Sequence, residues 1–95
     1  AVSIHPTYAE AWNNLALVEL AAGQPAAAEA AYRRALLARP DYRDALYNFA
    51  ILLQDQDRLL EAVSINERLL GVDPSFGEAH NNLGIAYGSL GDLDR

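Results

Sequence analysis

The sequence predicts an all-α fold built from tandem helix–turn–helix repeats, and three observations predict it. Proline returns every 34 residues, at Pro6, Pro40 and Pro74. At the same offset, chemically matched residues line up in columns: Tyr8, Tyr42 and Phe76; Glu10, Asp44 and Glu78; Ala11, Ala45 and Ala79; Asn14, Asn48 and Asn82; Leu15, Phe49 and Leu83. Between the prolines, apolar residues recur at helical spacing, and alanine and leucine dominate the composition, which favours helix over strand. A fixed period of this length is the signature of a repeat array in which each unit is one supersecondary element.

The elements follow in order. In the first helix, Ala11, Leu15, Val18 and Ala22 fall on one face and are expected to form its core-facing row. Gly23 supplies a C-terminal stop, and Pro25 suits the first turn of the next helix, where its missing N–H costs nothing. A second helix is predicted over Ala26–Ala38, with Arg33, Arg34 and Arg39 toward the end where the helix dipole favours cations. Pro40 forbids its continuation. The second unit repeats the plan over Arg43–Gln54 and Leu59–Leu70, and the third starts at Gly77. The units are drawn at residues 9–42 and 43–76, with a partial unit at 77–95 and the end of a preceding one at 1–8. Within that partial unit, Gly91 is expected to mark the turn toward another second helix. Ala16, Ala50 and Gly84 are small where paired helices should approach most closely, answered by Ala28 and Ala62.

Bulk properties narrow the function. The chain has 95 residues, 52% of them hydrophobic, and a formal net charge of -6. Its seven basic residues are all arginine. That balance argues against nucleic acid, whose phosphates need clustered cations. Cysteine is absent, which removes disulfides and thiolate metal sites. No apolar run is long enough to span a bilayer and no signal pattern opens the chain, so no membrane contact and a cytoplasmic location are expected. The two histidines, His5 and His80, have no nucleophile or acid in register, and His80 falls in the column of Trp12 at a core seam. The acids at Asp55, Asp57 and in "GDLDR" sit at expected turns, where helix-starting carboxylates are ordinary. No enzyme activity, cofactor or metal is expected.

The period and residue types resemble the tetratricopeptide repeat (TPR) family. The first unit carries the pattern as Trp12, Leu15, Ala16, Gly23, Ala28, Tyr32, Ala35 and Pro40. The second carries Leu46, Phe49, Ala50, Ala62, Leu69 and Pro74, and the third Leu83, Gly84, Tyr87 and Gly91. Glu19, Asn66 and His80 depart from it. The resemblance implies a right-handed α-solenoid whose first helices line a concave groove. On that placement Asn13, Asn14, Leu17, Tyr47, Asn48, Ile51, Asn81, Asn82 and Ile85 are the expected peptide-binding residues, with Glu10, Asp44 and Glu78 as an acidic rim.

Asparagine is a mediocre helix former, so its return at one column calls for a reason. Its amide carries a donor and an acceptor and can pair with any peptide group, whatever the side chain. The expected partner is therefore a protein or peptide segment. The doublets Asn13–Asn14 and Asn81–Asn82 are expected to stand open to solvent. The subclass that clamps a terminal carboxylate is disfavoured, because Glu78 stands where a cation is needed. "HPTYAEAWNNLA" and "DPSFGEAHNNLG" are similar to the arrays of O-linked N-acetylglucosamine transferase-like proteins, in which such a ladder grips extended polypeptides. That likeness implies a substrate-recruiting segment of a larger enzyme as the alternative function. A further alternative is a scaffold that self-associates through exposed repeat ends, with Leu83, Tyr87 and Leu90 as the expected seam.

Overall fold

The computed structural model describes residues 6–93, with side-chain environments over 8–91. The expected tail of a preceding helix at Ala1–Ile4, and His5, lie outside the described residues. Five helices follow one another: α1 (Pro6–Ala21), α2 (Pro25–Ala38), α3 (Arg43–Asp55), α4 (Leu59–Val72) and α5 (Gly77–Leu93). No strand occurs among the described residues, and the fold is an all-α helical repeat. Pro6 opens α1, so that helix starts three residues before the unit boundary drawn at residue 9.

Backbone chemistry at the turns repeats with the sequence. After α1, Gly23 takes a left-handed conformation with φ 75°. Its N–H bonds the Leu20 carbonyl at 3.0 Å and the Gln24 N–H bonds the Glu19 carbonyl at 2.8 Å, which together make a Schellman cap. Thirty-four residues on, Asp57 does the same with φ 59°, its N–H meeting Gln54 at 3.0 Å while that of Arg58 meets Leu53 at 2.9 Å. Pro25 then occupies the start of α2. The return turns also match: Tyr42 N–H bonds Arg39 and Phe76 N–H bonds Asp73, each at 3.1 Å. In the second of these, the Asp73 carboxylate accepts from the Ser75 hydroxyl at 2.9 Å and from its N–H, an Asx turn. At Gly91 the expected turn is absent, and α5 runs through it to Leu93.

Two compact units make up the chain, Ala1–Ala45 and Leu46–Arg95, the division falling inside α3. In the first unit α1 packs on α2. The buried row of α1 is Ala9, Asn13 and Ala16, and α2 answers with Ala28, Ala31, Tyr32, Ala35 and Leu36. This corrects the row expected to face the core: Leu15 is 43% and Val18 63% exposed, with Ala11 and Ala22 open beside them. The equivalent row of α5, Ala79, Leu83 and Ala86, is buried, and α5 packs on α4. The apolar periodicity in α1 is therefore genuine but describes a face that no described helix of the first unit covers.

In the second unit, α4 buries Ala62, Ile65, Asn66 and Leu69. Leu46, Phe49, Ala50, Leu52 and Leu53 of α3 are buried as well. Gly84 departs from its column: Ala16 and Ala50 are buried, whereas Gly84 is exposed and a Cβ built on it would touch nothing. Among the described residues, nothing lies beside Gly84 for the small residue to approach. His80, expected in a core seam, is exposed and its Nε2 lies 2.8 Å from the Pro74 carbonyl, capping the return turn. Leu83, expected as part of an open seam, is buried, while Tyr87 is exposed.

Asn66 stands where the first unit has the buried Tyr32. It is fully buried, and neither polar atom of its amide meets a hydrogen-bonding partner among the described residues. An unpaired buried amide costs about 1–3 kcal/mol. Asn66→Leu keeps similar volume, removes that cost and improves helix propensity. It should raise the stability of the folded chain by about 1–2 kcal/mol, read as a higher urea midpoint at unchanged slope.

Candidate peptide-binding surface

The residues expected to bind peptide lie on the first helix of each repeat, and the structure treats them unequally. On α1, Asn14 and Leu17 are exposed. Asn13 is not: it is only 5% exposed, and its side chain hydrogen-bonds the Tyr42 hydroxyl. The expectation of an open Asn13–Asn14 doublet therefore fails at its first member. Burial raises the Tyr42 hydroxyl above the ordinary tyrosine range, as do the carboxylates of Asp44 and Glu10, while Arg39 and the Asn13 amide partly offset them. Arg39 stacks over the Tyr42 ring at 5.2 Å, and Arg34 over Trp12 at 5.6 Å, so these two arginines act partly as aromatic covers.

Tyr47 holds the same column in the second unit. Its ring packs against Phe76, centroids 5.3 Å apart and tilted by 57°. Its hydroxyl donates to the Glu78 carboxylate. The column residue thus meets the aromatic just before the next first helix in both units, through an amide in one and a ring in the other. Asn48 and Ile51, one and four residues further along α3, are half-buried. On α5, Glu78, Asn81 and Ile85 are exposed and Asn82 is half-buried. Their spacing of three and four residues keeps Glu78, Asn81, Asn82 and Ile85 on one helix face.

This surface offers amides, apolar contact and carboxylates, with no nucleophile paired to a base. A recess of about 320 Å³ opens elsewhere, lined by Asp57–Glu61 and Leu90, and none of the expected binding residues contributes to it. Among the described residues no group of three or more metal-ligating side chains converges, and no helix is long and apolar enough to cross a membrane. On the far side of α5, Tyr87 donates to Glu67 at 2.9 Å.

Comparison with known proteins agrees with this architecture. A tetratricopeptide-repeat family model matches residues 19–81 and a second matches residues 1–30, and the chain belongs to the tetratricopeptide repeat family. No curated protein sequence matches it significantly. Among solved structures it is similar to two crystal structures of MamA, at 27% and 26% identity and TM-scores of 0.84. The matches cover 90% and 92% of this chain but 47% and 51% of MamA, so the chain spans about half the length of those proteins. It also resembles the first TPR domain of Spaghetti (RPAP3), solved with the HSP90 peptide SRMEEVD, at 24% identity and a TM-score of 0.81 over 90% of this chain and 70% of that one; this shows a shared fold.

The Tyr47–Glu78 bond makes a checkable claim about pH. The Tyr47 hydroxyl is held above the ordinary tyrosine range, chiefly by the hydrogen bond it donates to Glu78, then by its own partial burial and by the Glu78 charge. A pKa raised on folding contributes stability below the unfolded value of about 10 and loses it as pH rises through the folded value. Glu78→Gln should therefore lower the pH at which Tyr47 ionises, read by ultraviolet titration of the phenolate against a Tyr47→Phe baseline.

Proposed function

We propose that the chain is a protein-interaction module whose first-helix faces hold an extended polypeptide segment. The observation that carries this reading is the recurrent Asn14, Asn48 and Asn82 column, set on helices whose second-helix partners supply the packing. Asn14 and Leu17 present it in the first unit; Tyr47, Asn48 and Ile51 with Asn81, Asn82 and Ile85 present it in the second. Their amides would pair with peptide groups while the aliphatic side chains contact whatever lies between. The peptide seen on the RPAP3 domain supports a peptide ligand as a class. The same face would also serve as a substrate-recruiting segment of an O-linked glycosyltransferase-like enzyme, with catalysis supplied elsewhere. In either case this stretch is read as non-catalytic.

The triple variant Asn14→Ala, Asn48→Ala, Asn82→Ala should remain helical by circular dichroism yet lose most peptides that the wild type captures from a peptide library. Unchanged capture by a folded triple variant would return the column to a structural role.

Self-association through an exposed repeat end is a second reading, and the open α1 row gives it a location. Ala11, Leu15 and Val18 form an apolar stripe whose equivalents in α5 are buried. Replacing Val18 with Glu should abolish any concentration-dependent assembly in sedimentation velocity, without loss of helicity. Assembly that persists in that variant rules the stripe out.

A further inference from the structure

The cations of this chain are sorted by helix type, whereas acids occur on both, with Glu29, Glu61 and Glu67 on second helices. Arginines 33, 34, 58 and 68 lie on the second helices or at their starts, and Arg39 follows one. The first helices carry Glu10, Glu19, Asp44, Asp55, Glu78 and Asp92 against a single arginine, Arg43. Inside the second unit the sorting is complete among the described residues: neither the α3 stretch 46–55 nor α5 contains a cation. Arg58 is turned to Glu61 at 2.7 Å and to Gln56, on the other side of the repeat.

Glu78 is the carboxylate that stands on the proposed peptide-binding face. It is exposed, and its described partner is the Tyr47 hydroxyl, a neutral donor. A carboxylate accepts through two oxygens and about four lone-pair positions, so one phenol leaves most of that capacity unused. Tyr47 is itself fixed by its ring contact with Phe76, which makes the carboxylate a held group and not a freely rotating one. Three residues along, Asn81 is exposed, and two turns beyond Glu78 on the same face Ile85 is 56% exposed. The helix face thus presents, in order, an anchored anion, an amide pair and an apolar contact, with no cation near enough in sequence to neutralise it.

We infer that the ligand of the second unit is an extended segment bearing arginine or lysine, whose cation is received by Glu78. This rests on the peptide-binding reading above and names the chemistry of its ligand. An acidic segment such as SRMEEVD, the ligand of the RPAP3 domain, is the wrong charge for this face. A cation beside Glu78 gains a charge-assisted bond to an oxygen already oriented by Tyr47. Because the carboxylate is exposed, the gain is that of a surface pair, enough to choose among ligands and set their encounter rate.

The test uses fluorescence anisotropy with three short labelled peptides in which serine alternates with arginine, glutamine or glutamate. The arginine peptide should bind the wild type most tightly and the glutamate peptide least. Glu78→Gln should weaken the arginine peptide by about two- to fivefold, the span of an exposed ion pair, and flatten its salt dependence, while the glutamine peptide is unchanged. Glu67→Gln, which removes the same charge from α4, should leave all three alone. Tyr47→Phe keeps the ring on Phe76 and should give a smaller loss confined to the arginine peptide. Equal losses in Glu78→Gln and Glu67→Gln, no loss in either, or tightest binding of the glutamate peptide would each overturn the inference. In those cases an Asn81→Ala, Asn82→Ala variant that still loses the glutamine peptide preserves the wider reading. If that double variant loses nothing, both fall.

Discussion

No helix of this chain can stand alone, and that constraint shapes everything else in it. Each is 13–17 residues long, near the lower limit at which even good helix formers persist in water. Stability must come from side-by-side packing, and the buried alanines show how it is obtained. Ala16, Ala28, Ala35, Ala50 and Ala62 are all fully buried, which lets neighbouring backbones come close while Tyr32, Phe49 and Leu69 fill the space alongside. The Schellman caps at Gly23 and Asp57 turn the chain within a few residues, and the packed pairs α1–α2 and α4–α5 are each neighbours in sequence. Local contacts of this kind make a fold that can be extended without being redesigned.

Much of that was readable before any coordinates. Helix starts at Arg43, Leu59 and Gly77 coincide with the expected ones, because proline, glycine and the period all mark the same boundaries. Membership of the repeat family was legible for the same reason. What the sequence could not supply was which side of a helix finds a neighbour. Leu83 was misplaced by the expectation of an open seam, and Leu15 and Gly84 by the logic that equivalent columns have equivalent surroundings. In a repeat that holds only between units flanked alike. Asn13 failed differently. Its burial depends on the Tyr42 hydroxyl, 29 positions away, and nothing local announces such a partner. The Asp57 turn was masked by residue type: aspartate tolerates the left-handed conformation less well than glycine, yet the cap demands it there.

The first and second helices have diverged in what they are for. Second helices carry most of the arginines; first helices carry the recurrent asparagines, most of the acids and exposed aliphatic groups. On the proposed reading, recognition falls to the open faces of the first helices, while helices of both kinds share the packing. A substitution at an exposed first-helix position leaves the buried alanine contacts intact, so the surface can vary while the fold is kept.

The contacts Asn13–Tyr42 and Tyr47–Phe76 sit at matching positions but use unlike chemistry. Exchanging one partner alone would strand the other: a tyrosine at 13 would crowd a hydroxyl that now has an amide for company, and an asparagine at 47 would set a polar group against the bare edge of Phe76. Drift at these sites must then proceed in coupled steps, with the two members of a pair changing together. Duplicated units that began alike can in this way become non-interchangeable modules, each keyed to the loop that follows it, and a unit moved to another place in the array would carry half of a lock.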